Sequence, residues 1–293
     1  MRPAHPAPAR PRLALVLGSG GVRSIAGVGI NDVLWRAGLR PDLVVGCSSG
    51  AVFGATIAAG MASDEALRAA TSLWSAELTE QRRWRAYAQL VAPRLAGFDA
   101  GFAMRDDHLI AERIRRAFGS ARLEDLPIAL RVVATEAASG QPVVLSRGRV
   151  ADALRASVAV PFIFPSVEID GRRLVDGVVS DPLPVSAAAD AQVVVTLGLR
   201  GTMPRRIDRV SRLVAQATTA MINNLMDARV AAARATGHRM VHIELEIDRR
   251  VGLWETGAMP YLYEAGRRAA AQQLPRILAL LDDAGDAAER SAA

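Results

Sequence analysis

A chain of 293 residues with 51% hydrophobic and 23% charged content is long enough to bury one large core or two small ones, which excludes a disordered or fibrous protein. Its net charge of +6 rests on 36 Arg and no Lys, a bias in keeping with a GC-rich genome, and no nucleic-acid motif accompanies it, so a nucleic-acid partner is not expected. Cys47 is the only cysteine; that excludes an internal disulfide and a Cys-based zinc site and fits a reducing cytoplasm.

Residues 1–12 hold four Pro, three Arg and no acid, and predict a basic arm that does not fold; the arm lacks the apolar stretch of a signal peptide. Residues 13–17 (LALVL) read as a buried strand, followed by the Gly-rich turn Gly18-Ser19-Gly20-Gly21-Val22-Arg23-Ser24 and a helix over 25–37. The turn fails both nucleotide signatures: Arg23 stands where a dinucleotide fingerprint needs its last Gly, and no G-K-[ST] ending follows. What remains is a set of backbone N–H donors, with those of Gly20 and Gly21 expected to form an oxyanion hole.

Residues 43–46 predict the second strand and residues 51–59 a helix, joined by Gly46-Cys47-Ser48-Ser49-Gly50. A G-x-S-x-G spacing between strand and helix forces a crowded turn that holds its central hydroxyl outward, so Ser48 is the expected nucleophile; Cys47 is a competing one. The uncharged run over 43–62 is long enough for a membrane span, but its Gly cluster and small residues suit a buried strand, turn and helix instead. Two strands and a helix within about thirty residues predict parallel pairing, so both loops leave the same sheet edge.

Residues 63–77 read as a surface helix capped by Ser63, and 105–118 as another. Between them, 81–102 mixes Arg82, Arg83, Arg85, Trp84, Tyr87 and Leu90, as an interfacial lid does or as a solvated helix docked by its apolar residues does. Strands follow at 130–135 and 142–146, a helix at 150–157, and an extended segment from Pro161 to Pro165 whose two Phe either line an acyl pocket or belong to the core. Asp170-Gly171 marks a hairpin turn, whereas Asp176-Gly177 ends a strand; there a carboxylate can serve Ser48 as general base or act as a turn residue. A strand at 192–199, a helix at 207–235 with Leu213, Met221, Leu225 and Met226 for packing, a strand at 241–247 and a helix at 260–281 complete one α/β domain.

Taken in order, the Gly loop with Arg23, the Ser48 elbow, Ala156-Ser157-Val158-Ala159-Val160-Pro161, Leu174-Val175-Asp176-Gly177 and Tyr263-Glu264-Ala265-Gly266 resemble the patatin-like phospholipase family, in the bacterial branch similar to neuropathy target esterase. The resemblance implies a three-layer α/β/α sandwich with a mainly parallel central sheet over 13–283, flanked by the arm and a frayed tail at 284–293. It also implies a Ser48–Asp176 dyad acting on phospholipid or lysophospholipid, with no cofactor or metal and with cytoplasmic or peripheral inner-membrane residence. The residues alone leave open a triad completed by His238 or His242. Arg23 binds a head group or forms a structural ion pair. An acyltransferase and an inactive scaffold are the other functional classes. The sequence departs from the family pattern at Ser19, Ser24, Val178 and Asp181, and a Ser in the Gly loop is free of strain only where φ is negative.

Overall fold

The computed structural model describes residues 12–99, 101–204 and 206–292; the predicted arm lies outside these apart from Arg12. The first strand, β1 (Leu13–Leu17), is buried at every position, and its side chains divide by parity between two cores. Leu13, Leu15 and Leu17 face a large layer built with α1 (Ala26–Arg36), α2 (Ser49–Ala58) and α8 (Met259–Ala292), while Ala14 and Val16 face a smaller one closed by α7 (Val210–Ala235) and the turn Val185–Ala188. Period-two alternation into two apolar layers is why an unbroken aliphatic run is the right sequence for this strand.

Eight strands form one sheet. β1 pairs in parallel with β2 (Leu43–Cys47) and β7 (Val193–Gly198), β2 with β3 (Ala129–Glu136), and β7 with β8 (Met240–Glu244). Three antiparallel strands complete it, β4 (Pro142–Leu145), β5 (Val167–Ile169) and β6 (Arg172–Asp176). The architecture is the expected α/β/α sandwich with a mainly parallel sheet. The β5–β6 turn puts Asp170 at φ 50 and Gly171 at φ 71, the two positive angles that a tight hairpin requires.

The register of β3 decides where the site lies. Val132 and Val133 pair with β2 on one edge and with β4 on the other. One step on, Ala134 and Thr135 pair with β4 and with β6. So β2 and β6 occupy the same edge of β3 end to end: β2 stops at Cys47, opposite Val133, and β6 stops at Asp176, opposite Ala134. Residues 128 positions apart in sequence meet because two strands share one edge.

Several expectations shift. Helix α3 (Ser63–Leu73) is preceded by Ala62 in extended conformation, so Ser63 is its first residue and not its cap. The segment from Pro161 to Pro165 turns instead of extending: Ile163 and Phe164 N–H both donate to the Val160 carbonyl, and Phe162 takes φ 67. Of its two Phe, Phe164 is buried and Phe162 exposed. In α7, Met226 is buried but Leu213 and Met221 stand in solvent. Helix α8 continues beyond residue 281 to Ala292, carrying Pro275 within it.

Candidate active site

The elbow is shaped by contacts that only Gly permits. A Cβ on Gly46 would lie 2.4 Å from the Ala51 Cα, and one on Gly50 would lie 2.3 Å from the Leu17 carbonyl oxygen. With no room on either side, the chain reverses at Ser48, which takes φ 55 and ψ −127. For a non-Gly residue that conformation costs on the order of 1–3 kcal/mol and persists because the surroundings hold it. Its N–H donates to Ser157 Oγ at 2.8 Å, and Ser157 Oγ donates in turn to the Val133 carbonyl at 2.6 Å. The elbow is thereby fastened to the end of α6 (Val150–Ser157) and to β3.

The Ser48 hydroxyl donates to Asp176 Oδ2 at 2.7 Å. The other oxygen of Asp176 accepts the Val178 N–H at 2.8 Å, its backbone N–H donates to the Ala159 carbonyl, and its carbonyl accepts from Thr135 Oγ1 at 2.9 Å. Asp176 is fully buried, and loss of hydration pushes its carboxyl up to about 7, opposed by the hydrogen bonds from Val178 and Ser48. A Cβ on Gly177 would lie 2.4 Å from the Val133 carbonyl, so the chain leaves Asp176 against bare β3 backbone. Cys47 is no competitor: burial, with Asp176 and Asp181 nearby, drives its thiol well above the ordinary range.

The Gly loop is tied to the elbow by hydroxyl groups. Gly20 N–H donates to Ser49 Oγ at 3.2 Å, Ser49 Oγ lies 2.8 Å from Ser24 Oγ, and Ser24 Oγ donates to the Gly18 carbonyl at 3.1 Å. Gly20 is thus partly engaged. Gly21, at φ 61, opens the turn Gly21–Ile25, so its N–H has no acceptor within that turn. The N–H of Ser49, at the start of α2, is in the same position. Ser19 and Ser24 both avoid positive φ, so neither strains the loop. The hydrogen-bonding roles of Ser24, Ser49 and Ser157 escaped sequence reasoning because they depend on contacts between distant segments that local pattern does not encode.

Among the described residues Arg23 has no ion-pair partner. Its Nε donates to the Gly20 carbonyl and its Nη1 to the Arg200 carbonyl at 2.7 Å, while burial pulls the guanidinium below its ordinary value. With 7% exposure and the carbonyls of Gly20 and Arg200 as its partners, it borders the site as a buried cation. Asp181 has what Arg23 lacks: Arg229 Nε stands 3.1 Å from it, and burial raises its carboxyl to about 6. The two late histidines stand elsewhere. His238 contacts Thr236, and His242 lies on β8, three strands and roughly 14 Å from β2, with Nδ1 against Thr196 Oγ1.

A cavity of about 200 Å³ opens over Gly20, Gly21, Ser48 and Asp176. Its walls are apolar, with Phe164, Leu199 and Leu253 beside Trp74 and Trp254, whose rings stack at 4.7 Å. A hydroxyl beside a carboxylate, N–H donors alongside and a hydrocarbon-lined wall suit attack on an ester carbonyl carrying an aliphatic chain. Among the described residues no group of three or more His, Cys, Asp or Glu is placed to hold a metal ion.

Comparison with known proteins bears on the family. A family model for patatin-like phospholipases matches residues 15–189. An uncharacterized NTE family protein of Mycobacterium tuberculosis is 34% identical over 194 residues, covering 66% of this chain and 50% of that protein. The Aspergillus fumigatus lysophospholipase nte1 is 28% identical over 173 residues, 59% of this chain and 11% of the fungal one. The match spans half the length of that mycobacterial relative and 29% of another NTE family protein of Mycobacterium tuberculosis. Among solved structures, VipD from Legionella pneumophila aligns over 94% of this chain and 67% of its own, at 17% identity and a TM-score of 0.47.

Proposed function

Given that the chain belongs to the patatin-like phospholipase family, whose chemistry is lipid hydrolysis, we propose that it is a serine acyl hydrolase cleaving an ester-linked acyl chain from phospholipid or lysophospholipid through an acyl-enzyme. The observation that carries the reading is the 2.7 Å bond from a strained elbow hydroxyl to a buried carboxylate under an apolar cavity. Asp176 takes the proton as Ser48 Oγ attacks, and no histidine intervenes. Negative charge develops on the former carbonyl oxygen, and the N–H groups of Gly21 and Ser49, with Gly20 behind them, lie at the helix starts that favour it. The protonated Asp176 returns its proton to the leaving alcohol, and water then attacks the acyl-enzyme with the same carboxylate as base. Arg23, whose hydrogen-bond partners are neutral carbonyls, serves the phosphate of the head group, an anion that a guanidinium can pair with.

The test is release of fatty acid from a lysophospholipid by wild type, Ser48→Ala and Asp176→Asn. Wild type turns over and each variant loses at least about a thousandfold in kcat, as expected when a nucleophile or its base is removed. Undiminished turnover in Asp176→Asn rejects the dyad.

A further inference from the structure

The cavity mouth opens among apolar side chains that are exposed among the described residues. Leu253 on the wall is 52% exposed, and Phe162 and Met221, neighbours of the lining residues Phe164 and Ile222, are 72% and 71% exposed. Two elements extend this rim. On one side α4 (Trp84–Val91) and the turn after it present Trp84, Leu90, Val91, Leu95 and Phe98 to solvent. They are joined to the mouth through backbone: Arg83 N–H donates to the Met104 carbonyl, and Met104 and Arg105 N–H donate to the carbonyls of Phe162 and Ile163.

On the other side α7 projects from the body, with Val210, Leu213 and Val214 all more than half exposed. Val210, Leu213, Val214, Ala217 and Met221 recur at spacings of three and four and so make one apolar stripe. The same helix then supplies Thr219 and Ile222 to the cavity wall.

Charge indicates what covers this face. Residues 81–98 carry four Arg and no acid, and residues 203–222 carry four Arg and one Asp. Their combined net charge of +7 exceeds the +6 of the whole chain. Among the described residues Arg82, Arg83, Arg85, Arg94, Arg206 and Arg209 join no ion pair; Arg212 alone pairs, with Asp208. A second copy of the chain would bring a like-charged surface, whereas an anionic bilayer offers both an apolar layer and the opposite charge.

We propose that α4 with its following turn and the projecting end of α7 together form a docking face for an anionic lipid bilayer. The apolar stripe and the Trp84–Phe98 side chains enter the headgroup boundary and the Arg side chains remain at phosphate level. The cavity mouth then meets the membrane plane, and a lipid reaches Ser48 without crossing water. What enters the cavity rests on the hydrolase reading; the docking does not.

The experiment is co-sedimentation of the full chain with vesicles of phosphatidylcholine alone or of equimolar phosphatidylcholine and phosphatidylglycerol. Parallel samples carry Leu213→Asp/Val214→Asp, or Arg82→Gln/Arg83→Gln, and each protein is also labelled at Ser48 with a fluorophosphonate in the absence of lipid. Wild type binds the anionic vesicles at least about tenfold more tightly than the neutral ones, and binding weakens as NaCl is raised to about 0.5 M. Each double variant loses about tenfold in vesicle affinity while labelling at the wild-type rate, so a docking defect is distinguished from a catalytic one. The proposal is overturned if wild type ignores anionic vesicles or if Leu213→Asp/Val214→Asp binds them as wild type does. It is equally overturned if ultracentrifugation shows wild type self-associating through this face without binding vesicles.

Discussion

At the scale of single residues, the site trades stability for chemistry at two positions. In the proposed dyad Asp176 acts as base only when ionised, and burial raises its carboxyl to about 7, so kcat/KM for a soluble ester is predicted to rise with pH to an inflection close to 7. An inflection near 4 would place a different group in that role. The same burial acts on folding. The folded-state value lies above the unfolded one, so between about pH 4 and 7 the native state holds the extra proton and stability falls as pH rises through that window. Asp176→Asn, which never ionises, gains in Tm relative to wild type as pH goes from 5 to 8. Ser48 pays in backbone conformation: at φ 55, Ser48→Gly relieves the elbow and stabilises the fold by about 1 kcal/mol in denaturant titrations, while abolishing turnover. Ser49 differs, since its hydroxyl holds the Gly20 N–H and meets Ser24. Ser49→Ala lowers kcat about fivefold with KM little changed, the loss of one modest hydrogen bond at the donor loop; a raised kcat would show that Ser49 restrains Gly20 instead.

Among the elements, the elbow and the β2–β6 junction carry the architecture of the site. Gly50→Ala forces a Cβ to within 2.3 Å of the Leu17 carbonyl and costs about 3 kcal/mol or more in stability, whereas Gly257→Ala, with nothing within 4 Å, is neutral in the same measurement. Much of this was legible beforehand. The proposed nucleophile and the strand-end carboxylate are marked by Gly on the side where backbone must approach, and the Gly46, Gly50 and Gly177 contacts give that mark its physical meaning. What was not legible has equally physical reasons. Helix α7 shows the same apolar period whether its stripe packs on a core or faces outward, so Leu213 and Met221 read as packing residues. The bond from Ser157 to the Ser48 N–H spans 109 positions and depends on how α6 lies on β3, which local pattern does not encode. Two Pro around Phe162 suggest extension, yet their fixed φ angles are also compatible with the turn that exposes it.

For the whole molecule, the sheet brings the Gly loop after β1, the elbow after β2 and the end of β6 to one edge, and the charge distribution places the basic apolar elements around the same opening. No helix among the described residues is long and apolar enough to cross a membrane; the contact with lipid proposed above is one of surface and shallow insertion. The central claim is that Ser48, activated by Asp176, is the nucleophile. Its most direct test is mass mapping of the adduct left by a fluorophosphonate on the full chain between pH 5 and 9. The account predicts a single adduct on Ser48, absent from Ser48→Ala, forming faster as pH rises through about 7 and at a pH-independent residual rate in Asp176→Asn. An adduct on any other residue, or a wild type that never reacts, would contradict it.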